Sequence, residues 1–463
     1  MKIIINKIEV DLHKIGINFI LNVDQLAALD HLAKFMMSDK LTTVLNGSGG
    51  TGKSTLMRIF IEYDRIKYGS NVRLVAPTHK AKSVLSRLSN NSFATTLHKM
   101  LGLKPNFNIA EFDARTISFL DALHLPFFET KKDLFIVDEC SMINNDLYDL
   151  LIKKLSNNGK IIFLGDHKQL SPVRQGSGSK VFDKTDFPGF TLNIIERQQQ
   201  NPLVETLVKL RTNENVIYES TTNAEKGLRV HNLSSFKKVL SKIFYCLDDL
   251  NASPQGNKIL AYTNSRVTGF NNFVRKLMGI DKKPLNVGEH LMAFDSYNSG
   301  YEELITNGSE YTVKSLKLTE KAIPSYGLFK GYNLELIEYG TDIVKEVFLL
   351  DPEAPQKLYD HLAIVLEGAR VTAIKKNYLW KNFFAINQSF VTMRELVYEK
   401  RVIKKKTFDY GYACTVHKSQ GSSYTNVFVD MDNIHLCKDL EERRQLEYVA
   451  LSRPTHFAHI LVK

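Results

Sequence analysis

Three stretches of the chain carry residue types that can grip and split a phosphate chain. The first is Gly47-Ser48-Gly49-Gly50-Thr51-Gly52-Lys53-Ser54, which fits G-x-x-x-x-G-K-[ST]. Its glycines let backbone N–H groups turn inward where a Cβ would obstruct them. Lys53 is expected to reach the β- and γ-phosphates of a nucleotide, and the Ser54 hydroxyl to ligate Mg²⁺, with Thr55 next in the same turn. The second stretch is Leu134-Phe135-Ile136-Val137-Asp138-Glu139, an apolar run ending in two acids. Such a pair divides the labour. Asp138 serves the metal through water, and Glu139 orients and deprotonates the attacking water. The third is Gly165-Asp166-His167-Lys168-Gln169, in which Gln169 is placed to sense a γ-phosphate.

These residues need strands and helices to hold them. Thr42 to Asn46 is rich in β-branched residues and reads as a strand, and Ser54 to Tyr68 as a helix, so the glycine loop joins the two. A helix N-terminus adds partial positive charge where phosphates would lie. A glycine loop with a chance lysine is the plain alternative, and the strand–loop–helix context argues against it. Lys160 to Gly165 is a further strand. An amphipathic helix opens after Asn22 or Asp24 as N-cap, and its Gln25 carries both donor and acceptor for an adenine edge. Taken alone, Gln25 reads as an exposed helix residue. Arg197 follows a short apolar strand (Phe190 to Ile195), and Arg453 lies in the stretch Glu447 to Thr455 that ends a helix. Each can act as an arginine finger, the alternative being a surface ion pair. Gly421 supplies a turn close to the nucleotide.

Other stretches suit a backbone of phosphates and bases. Val72 to Ala76 is a strand that delivers Pro77, Thr78 and His79, and Thr96 and His98 form a second hydroxyl and histidine cluster. A plainly capped helix is the alternative for each. Asn264 and Ser265 open a helix after the strand Lys258 to Tyr262, which repeats the first α/β unit without a glycine loop. Thr415, His417 and Lys418 follow where the α/β pattern returns. Trp380, the single tryptophan, lies among Tyr378, Phe383 and Phe384 beside Lys381, where base stacking and packing on a neighbouring element fit equally. Between 103 and 131, Phe107, Phe112, Phe119, Phe127 and Phe128 are scattered without helical or strand period, as in an insertion from the core. A duplex-splitting hairpin is one use; a satellite cluster is the other. From about 285 to 395, alternating runs at Tyr311 to Leu316, Tyr332 to Ile337 and Val344 to Leu350 read as a small β-barrel. Residues 1–22 alternate apolar with polar and are given no role.

The whole composition bounds the class. A chain of 463 residues with 43% hydrophobic content is globular and has more than one core. Its net charge of +11 suits a polyanionic partner, although a solvated basic surface is the alternative. Cys140, Cys246, Cys414 and Cys437 form no C-x-x-C pair, which points to reduced thiols in an intracellular protein rather than to zinc or a disulfide framework. No apolar run is long enough to span a membrane, and the N-terminus does not read as a signal peptide.

In this order the motifs resemble superfamily 1 helicases of the Dda/RecD-like branch. The resemblance covers nearly the whole chain. It is carried by the Gln25 segment, the glycine loop, Pro77-Thr78-His79, Asp138-Glu139, Gly165 to Leu170, Glu196-Arg197-Gln198, Thr415 to Gly421 and Tyr448 to Arg453. Ser171, Cys140 and Pro454 depart from the commonest pattern without removing a catalytic group. The resemblance implies an α/β fold of two RecA-like P-loop domains with ATP between them, a pin insertion in the first and an SH3-like barrel insertion in the second. The implied boundaries are 1–22 for an N-terminal extension, 23–196 for domain 1A with its pin at about 103–131, 197–285 with 400–463 for domain 2A, and 286–399 for domain 2B. It implies ATP and Mg²⁺ as cofactors and a monomer moving 5′→3′ on single-stranded and forked DNA. A single-stranded-DNA-binding protein is an implied partner and no membrane is. A phage replication or recombination role, in the host cytoplasm, goes with that reading. The rival functions are an RNA-directed translocase, an ATPase that displaces bound proteins, and a P-loop kinase; the last lacks any acceptor site in the sequence.

Overall fold

The computed structural model describes residues 1–78, 94–107, 109, 112–116, 119–121, 133–155, 159–171, 178–196, 201–245, 256–299, 302–323 and 327–462. His79, Arg197, Gln198, Cys246, Phe127 and Phe128 lie outside them. The chain forms two compact units. One gathers Met1–Leu103, Asp121–His231 and Ser419–Lys463, and the other gathers Lys104–Leu120 and Asn232–Lys418. These cuts differ from the boundaries expected from sequence: Ser419–Lys463 falls with the glycine-loop segment, and 104–120 with the later one.

The first unit is built on a six-stranded sheet. Its order is Phe190–Leu192, Thr42–Gly47, Lys160–Gly165, Asp133–Val137, Asn71–Ala76, Ala94–Thr96, and neighbouring strands pair in parallel. Thr42–Gly47 and Asp133–Val137 are buried along their whole length, as parallel strands covered on both faces must be. In register, Asn46 lies opposite Gly165 and Val137 opposite Phe163. The carboxyl ends of three adjacent strands therefore deliver the glycine loop, Asp138 and Asp166 to one edge of the sheet, where ligands bind in open α/β folds. The strand expected from Phe190 to Ile195 stops at Leu192. The Asp24 carboxylate takes the N–H groups of Asn193 (2.8 Å) and Ile194 (3.2 Å), so they cannot extend the ladder.

Residues 1–22 belong to this core. Lys2–Ile5 and Ile8–Asp11 pair as a hairpin, and Ile5, Val10, Leu12, Ile17 and Leu21 are buried in the cluster that holds Leu56, Ile59 and Phe60 of the loop helix Lys53–Lys67. A second sheet in the same unit runs Thr221–Thr222, Gly227–His231, Pro454–Leu461, Tyr424–Asp430. Its last two pairings are parallel.

The second unit pairs Asn257–Ala261 with Ala413–Thr415 in parallel and carries a five-stranded antiparallel sheet. The order is Val344–Leu350, Gly327–Glu338, Glu310–Ile323, His290–Ala293, Phe408–Tyr410. Two helices that strand-like alternation does not announce, Gln356–Lys375 and Trp380–Asn387, cover a core of Tyr359, Leu362, Leu366, Phe383 and Phe348. The segment 104–120 packs here. Phe112 is buried, and Phe107 stands 5.3 Å from it and 5.5 Å from Phe383. Phe112 and the partly buried Phe107 thus pack in a satellite cluster, while Phe119 is 45% exposed.

Candidate nucleotide site and nucleic-acid residues

The glycine loop is held from below before it meets any ligand. Gly52 has φ +92°, and a Cβ there would stand 2.6 Å from Gln25 Nε2. A Cβ on Gly47 would stand 2.8 Å from Thr51 Oγ1. Both positions therefore need glycine, for backbone conformation and for close approach. Gly50 also lies in the left-handed region. A Cβ on Gly49 would meet nothing within 4 Å, so space stands open on that side of the loop. Gln25 is buried and held at three points. Its Oε1 accepts the Asn22 N–H (3.1 Å), its N–H donates to Asn22 Oδ1 (2.9 Å), and its Nε2 donates to Thr51 O (3.2 Å). Gln25 thus caps its helix and braces the loop, rather than standing exposed. Glu196 donates its N–H to Gly50 O (2.9 Å), and its carboxylate accepts from Asn22 Nδ2.

Lys53 points into the loop. Its ammonium donates to Gly47 O (2.6 Å) and Ser48 O (3.0 Å). Ser54 and Thr55 sit half-buried in the first turn of the helix, with Thr51 buried beneath. Asp138 follows its strand directly. Its N–H donates to Val75 O (2.9 Å), and its Oδ1 accepts the Glu139 N–H (2.8 Å). Burial pushes its carboxyl up, against that hydrogen bond and the Lys53 charge.

Glu139 is held in the left-handed region, φ 51° and ψ 42°, a conformation that costs a non-glycine residue about 1–3 kcal/mol. Burial, then the Asp138 charge, raises its carboxyl to about 7, while Arg453 and Lys53 pull the other way. A base poised near neutrality is what abstraction of a proton from water calls for. Gly421, φ +71°, comes to the same carboxylate: a Cβ there would lie 3.8 Å from Glu139 Oε1. Arg453 is buried and braced by Val449 O (3.1 Å), Ser422 O (3.2 Å) and Ser452 Oγ (2.9 Å). Gln169 is buried with Oε1 unmatched by any hydrogen-bond donor among the described residues, and Gln420 Nε2 is likewise buried and unmatched. Two orphaned amide groups, an ammonium resting on loop carbonyls and desolvated acids fit a phosphate chain with its divalent cation. Ser54 and Asp138 are the residues present to hold that cation.

A family model described as an AAA domain matches residues 20–234, and one described as a UvrD-like helicase C-terminal domain matches residues 410–461. The ATP-dependent DNA helicase dda of Enterobacteria phage T4 is 26% identical over 461 residues, 93% of this chain and 96% of that protein. The RecBCD enzyme subunit RecD of Buchnera aphidicola is 24% identical, covering 85% of this chain and 65% of that protein. The fold matches Bacteroides Pif1 helicase in complex with ADP-AlF3 and ssDNA, with a TM-score of 0.51 at 16% identity over 96% of this chain and 92% of that one. A Pif1 structure of unwinding at forked dsDNA gives 0.54 at 16% identity over 95% and 92%. This chain is a superfamily 1 helicase of the Dda/RecD/Pif1-like kind. Its enzyme class is that of the ATP-dependent DNA helicases.

The residues expected from sequence at a DNA strand fall in both units. Pro77 and Thr78 end the strand Asn71–Ala76, half-buried, in the first unit. Thr96 is the N-cap of Leu97–Met100 and accepts the Lys99 N–H (3.3 Å), so its hydroxyl has a local task, and His98 follows half-buried. In the second unit, Asn264 and Ser265 are exposed in the first turn of Asn264–Leu277, which Thr263 caps. Thr415 Oγ1 accepts the Lys418 N–H (3.3 Å), Lys418 Nζ lies 3.4 Å from the centre of the Phe294 ring, and the His417 ring lies 6.3 Å from Tyr262. Trp380 packs among Phe107, Phe383 and Phe384 at 5.5–6.0 Å. It is half-buried.

Sequence reasoning missed Gln420, Phe294 and Arg211. Gln420 lies inside a motif that had been singled out, so its position was available. Phe294 and Arg211 carry no local signal.

Proposed function

We propose that this helicase moves 5′→3′ on single-stranded DNA and separates the strands at a fork, in phage replication or recombination. The observation that carries the reading is Gly421 standing against the Glu139 carboxylate, which also feels the charges of Arg453, Lys53 and Asp138. A chain segment that follows the DNA-binding motif Thr415 to Lys418 thereby reaches the residues that split the nucleotide. The direction rests on the resemblance to the Dda/RecD-like branch, and the fork on the DNA named with the Pif1 structures.

In this reading Lys53 leaves the carbonyls of Gly47 and Ser48 for the β- and γ-phosphates. Mg²⁺ held by Ser54 and, through water, by Asp138 would neutralise charge on the phosphate oxygens. Glu139 takes the proton of the attacking water. Gln169 hydrogen-bonds the γ-phosphate, and Arg197 and Arg453 offset its growing charge. Gln25 keeps its brace on Thr51 and offers its remaining amide hydrogen to adenine. Gly47, Gly49, Gly50, Thr51 and Gly52 line the phosphates, with Thr55 behind them. Pro77, Thr78, His79, Thr96, His98, Asn264, Ser265, Trp380, Thr415, His417 and Lys418 touch the DNA strand, mostly through its backbone, so binding is sequence-tolerant and weakens with salt.

The domain reading of 23–196, 197–285 with 400–463, and 286–399 as an inserted barrel domain accompanies this function; the antiparallel sheet between His290 and Tyr410 supports the last. The protein works as a monomer, with a single-stranded-DNA-binding protein as partner. Strand separation on partial duplexes with a 5′ or a 3′ single-stranded tail tests the proposal. Unwinding of the 5′-tailed duplex alone is expected, and Lys53→Ala should abolish it. Unwinding of the 3′-tailed duplex would overturn the direction. Stimulated ATPase with neither duplex opened would favour a translocase that displaces proteins.

A further inference from the structure

The residue Asp166 ends the strand Lys160–Gly165 and is fully buried. Three partners converge on its carboxylate. Arg211 Nη1 donates to Oδ1 and Oδ2, each at 2.9 Å, and the Tyr448 hydroxyl donates to Oδ2 at 2.7 Å. The ring closes because Arg211 Nη1 also donates to the Tyr448 hydroxyl oxygen at 2.9 Å. The Asp166 Oδ1 additionally accepts the Lys168 N–H (3.1 Å), and the Asp166 carbonyl accepts the Gln169 N–H (3.0 Å). One residue therefore shapes the turn that carries Gln169 and grips the helix Leu440–Leu451.

That helix leads into Arg453. The Ser452 N–H donates to Tyr448 O (3.0 Å), and Arg453 Nε to Val449 O (3.1 Å), so the guanidinium is folded back on the turn that Tyr448 begins. A second tie runs between the same two places: the Ser171 N–H donates to Gln445 Oε1 (3.3 Å). A roll of the helix about its axis would carry Tyr448 and Arg453 together, because both hang on the same last turn. A buried ion pair of this kind adds little net stability, and removing one partner strands the other charge.

We propose that Arg211, Asp166 and Tyr448 form a positioning clamp that sets Arg453 against Glu139 for ATP hydrolysis. The inference rests on the role given to Arg453 in the proposed function. None of the three touches the nucleotide in this assignment. They act through the placement of Arg453, so nucleotide affinity, which the glycine loop provides, is left alone.

The test is steady-state ATP hydrolysis with saturating oligothymidylate by the full chain carrying Tyr448→Phe, Arg453→Ala, or both. Tyr448→Phe keeps the aromatic body and removes the hydroxyl alone. Its kcat is expected to fall about tenfold with KM for ATP within about twofold, the signature of an interaction made only in the transition state. In the Arg453→Ala background the same change should slow the enzyme by less than about twofold, because the group it positions is gone. Arg211→Lys, which cannot bridge both partners, should follow Tyr448→Phe. A full tenfold loss on top of Arg453→Ala, a KM effect without a kcat effect, or no effect would each overturn the clamp. If Arg453→Ala itself leaves kcat unchanged, the role of Arg453 falls first and the clamp with it. If Arg453→Ala slows the enzyme and Tyr448→Phe does not, the clamp alone falls. Thermal melting of each variant identifies one that fails to fold; Arg211→Lys then decides.

Discussion

Removing the Arg370 side chain should loosen the aromatic segment 104–120 and leave ATP hydrolysis in place. Arg370 is fully buried on the helix Gln356–Lys375. It holds Glu367 with two hydrogen bonds of 2.7 Å, and its Nη1 donates to Phe107 O (2.9 Å) and Ile109 O (2.7 Å). Its guanidinium also lies 5.2 Å from the Phe112 ring. Arg370→Met keeps the apolar stem and deletes these donated bonds. Breaking one partner of a buried pair costs about 3–5 kcal/mol, because the other charge stays behind. Arg401 lies 3.7 Å from the Glu367 carboxylate and recovers part of that. A loss near the lower end, about 3 kcal/mol, is therefore expected in urea denaturation. Hydrogen exchange should rise in 104–120 and in the Trp380–Asn387 helix, whose Phe383 and Phe384 pack on Phe107. DNA-stimulated ATPase should stay within about twofold while strand separation falls. A loss below about 1 kcal/mol with unchanged exchange would refute the reasoning, since it would mean that the carbonyls of Phe107 and Ile109 find other donors at no cost.

Further outcomes follow from other elements. Gly52→Ala forces a side chain into φ +92° and against Gln25 Nε2, so it should cost about 1–2 kcal/mol and raise KM for ATP several-fold; wild-type kinetics would show that the loop relaxes freely. His459 is buried, 4.7 Å from Phe428 with the rings nearly parallel, and its Nδ1 is 3.0 Å from His231 Nε2. Burial, with His231 and Arg229, pushes it down to about 3. The unfolded chain binds this proton below about pH 6.5 and the folded one does not, so stability should fall as pH drops from 6.5 toward 3, by up to about 2 kcal/mol at pH 5. His459→Phe should flatten that acid limb in denaturation at pH 7 and pH 5, and an unchanged slope would sink the account. The affinity for single-stranded DNA should fall linearly on a log–log plot against salt; a flat plot would exclude phosphate contacts as the main source of binding.

The parts of this site that could be read in the sequence are those whose chemistry is local. The glycine loop, Asp138-Glu139 and the strands beneath them each occupy one short stretch, and spacing alone reports the backbone they need. Gln25 was legible as an amide near the loop, but its double engagement with Asn22 and Thr51 depends on how the first helix meets the loop. The helix Gln356–Lys375 had a signal, the buried spacing of Tyr359, Leu362, Ala363 and Leu366, which the alternating strands around it obscured. Arg211 had none. Its partner Asp166 is 45 residues away and Tyr448 is 237, and only the folded chain brings an ordinary helix-end arginine to a buried acid.

The first unit is stitched from three separate lengths of chain, and the pairing of Asp166 with Tyr448 spans 282 residues. During synthesis the glycine loop and both acids leave the ribosome long before Arg453 exists. Until the last length arrives, the Glu139 carboxylate lacks Arg453 beside it, and the edge that Pro454–Leu461 offers to Gly227–His231 is missing. Loop closure over such a distance is slow relative to local folding, so in the proposed function the nascent chain would carry its phosphate-binding loop before the arginine that completes hydrolysis.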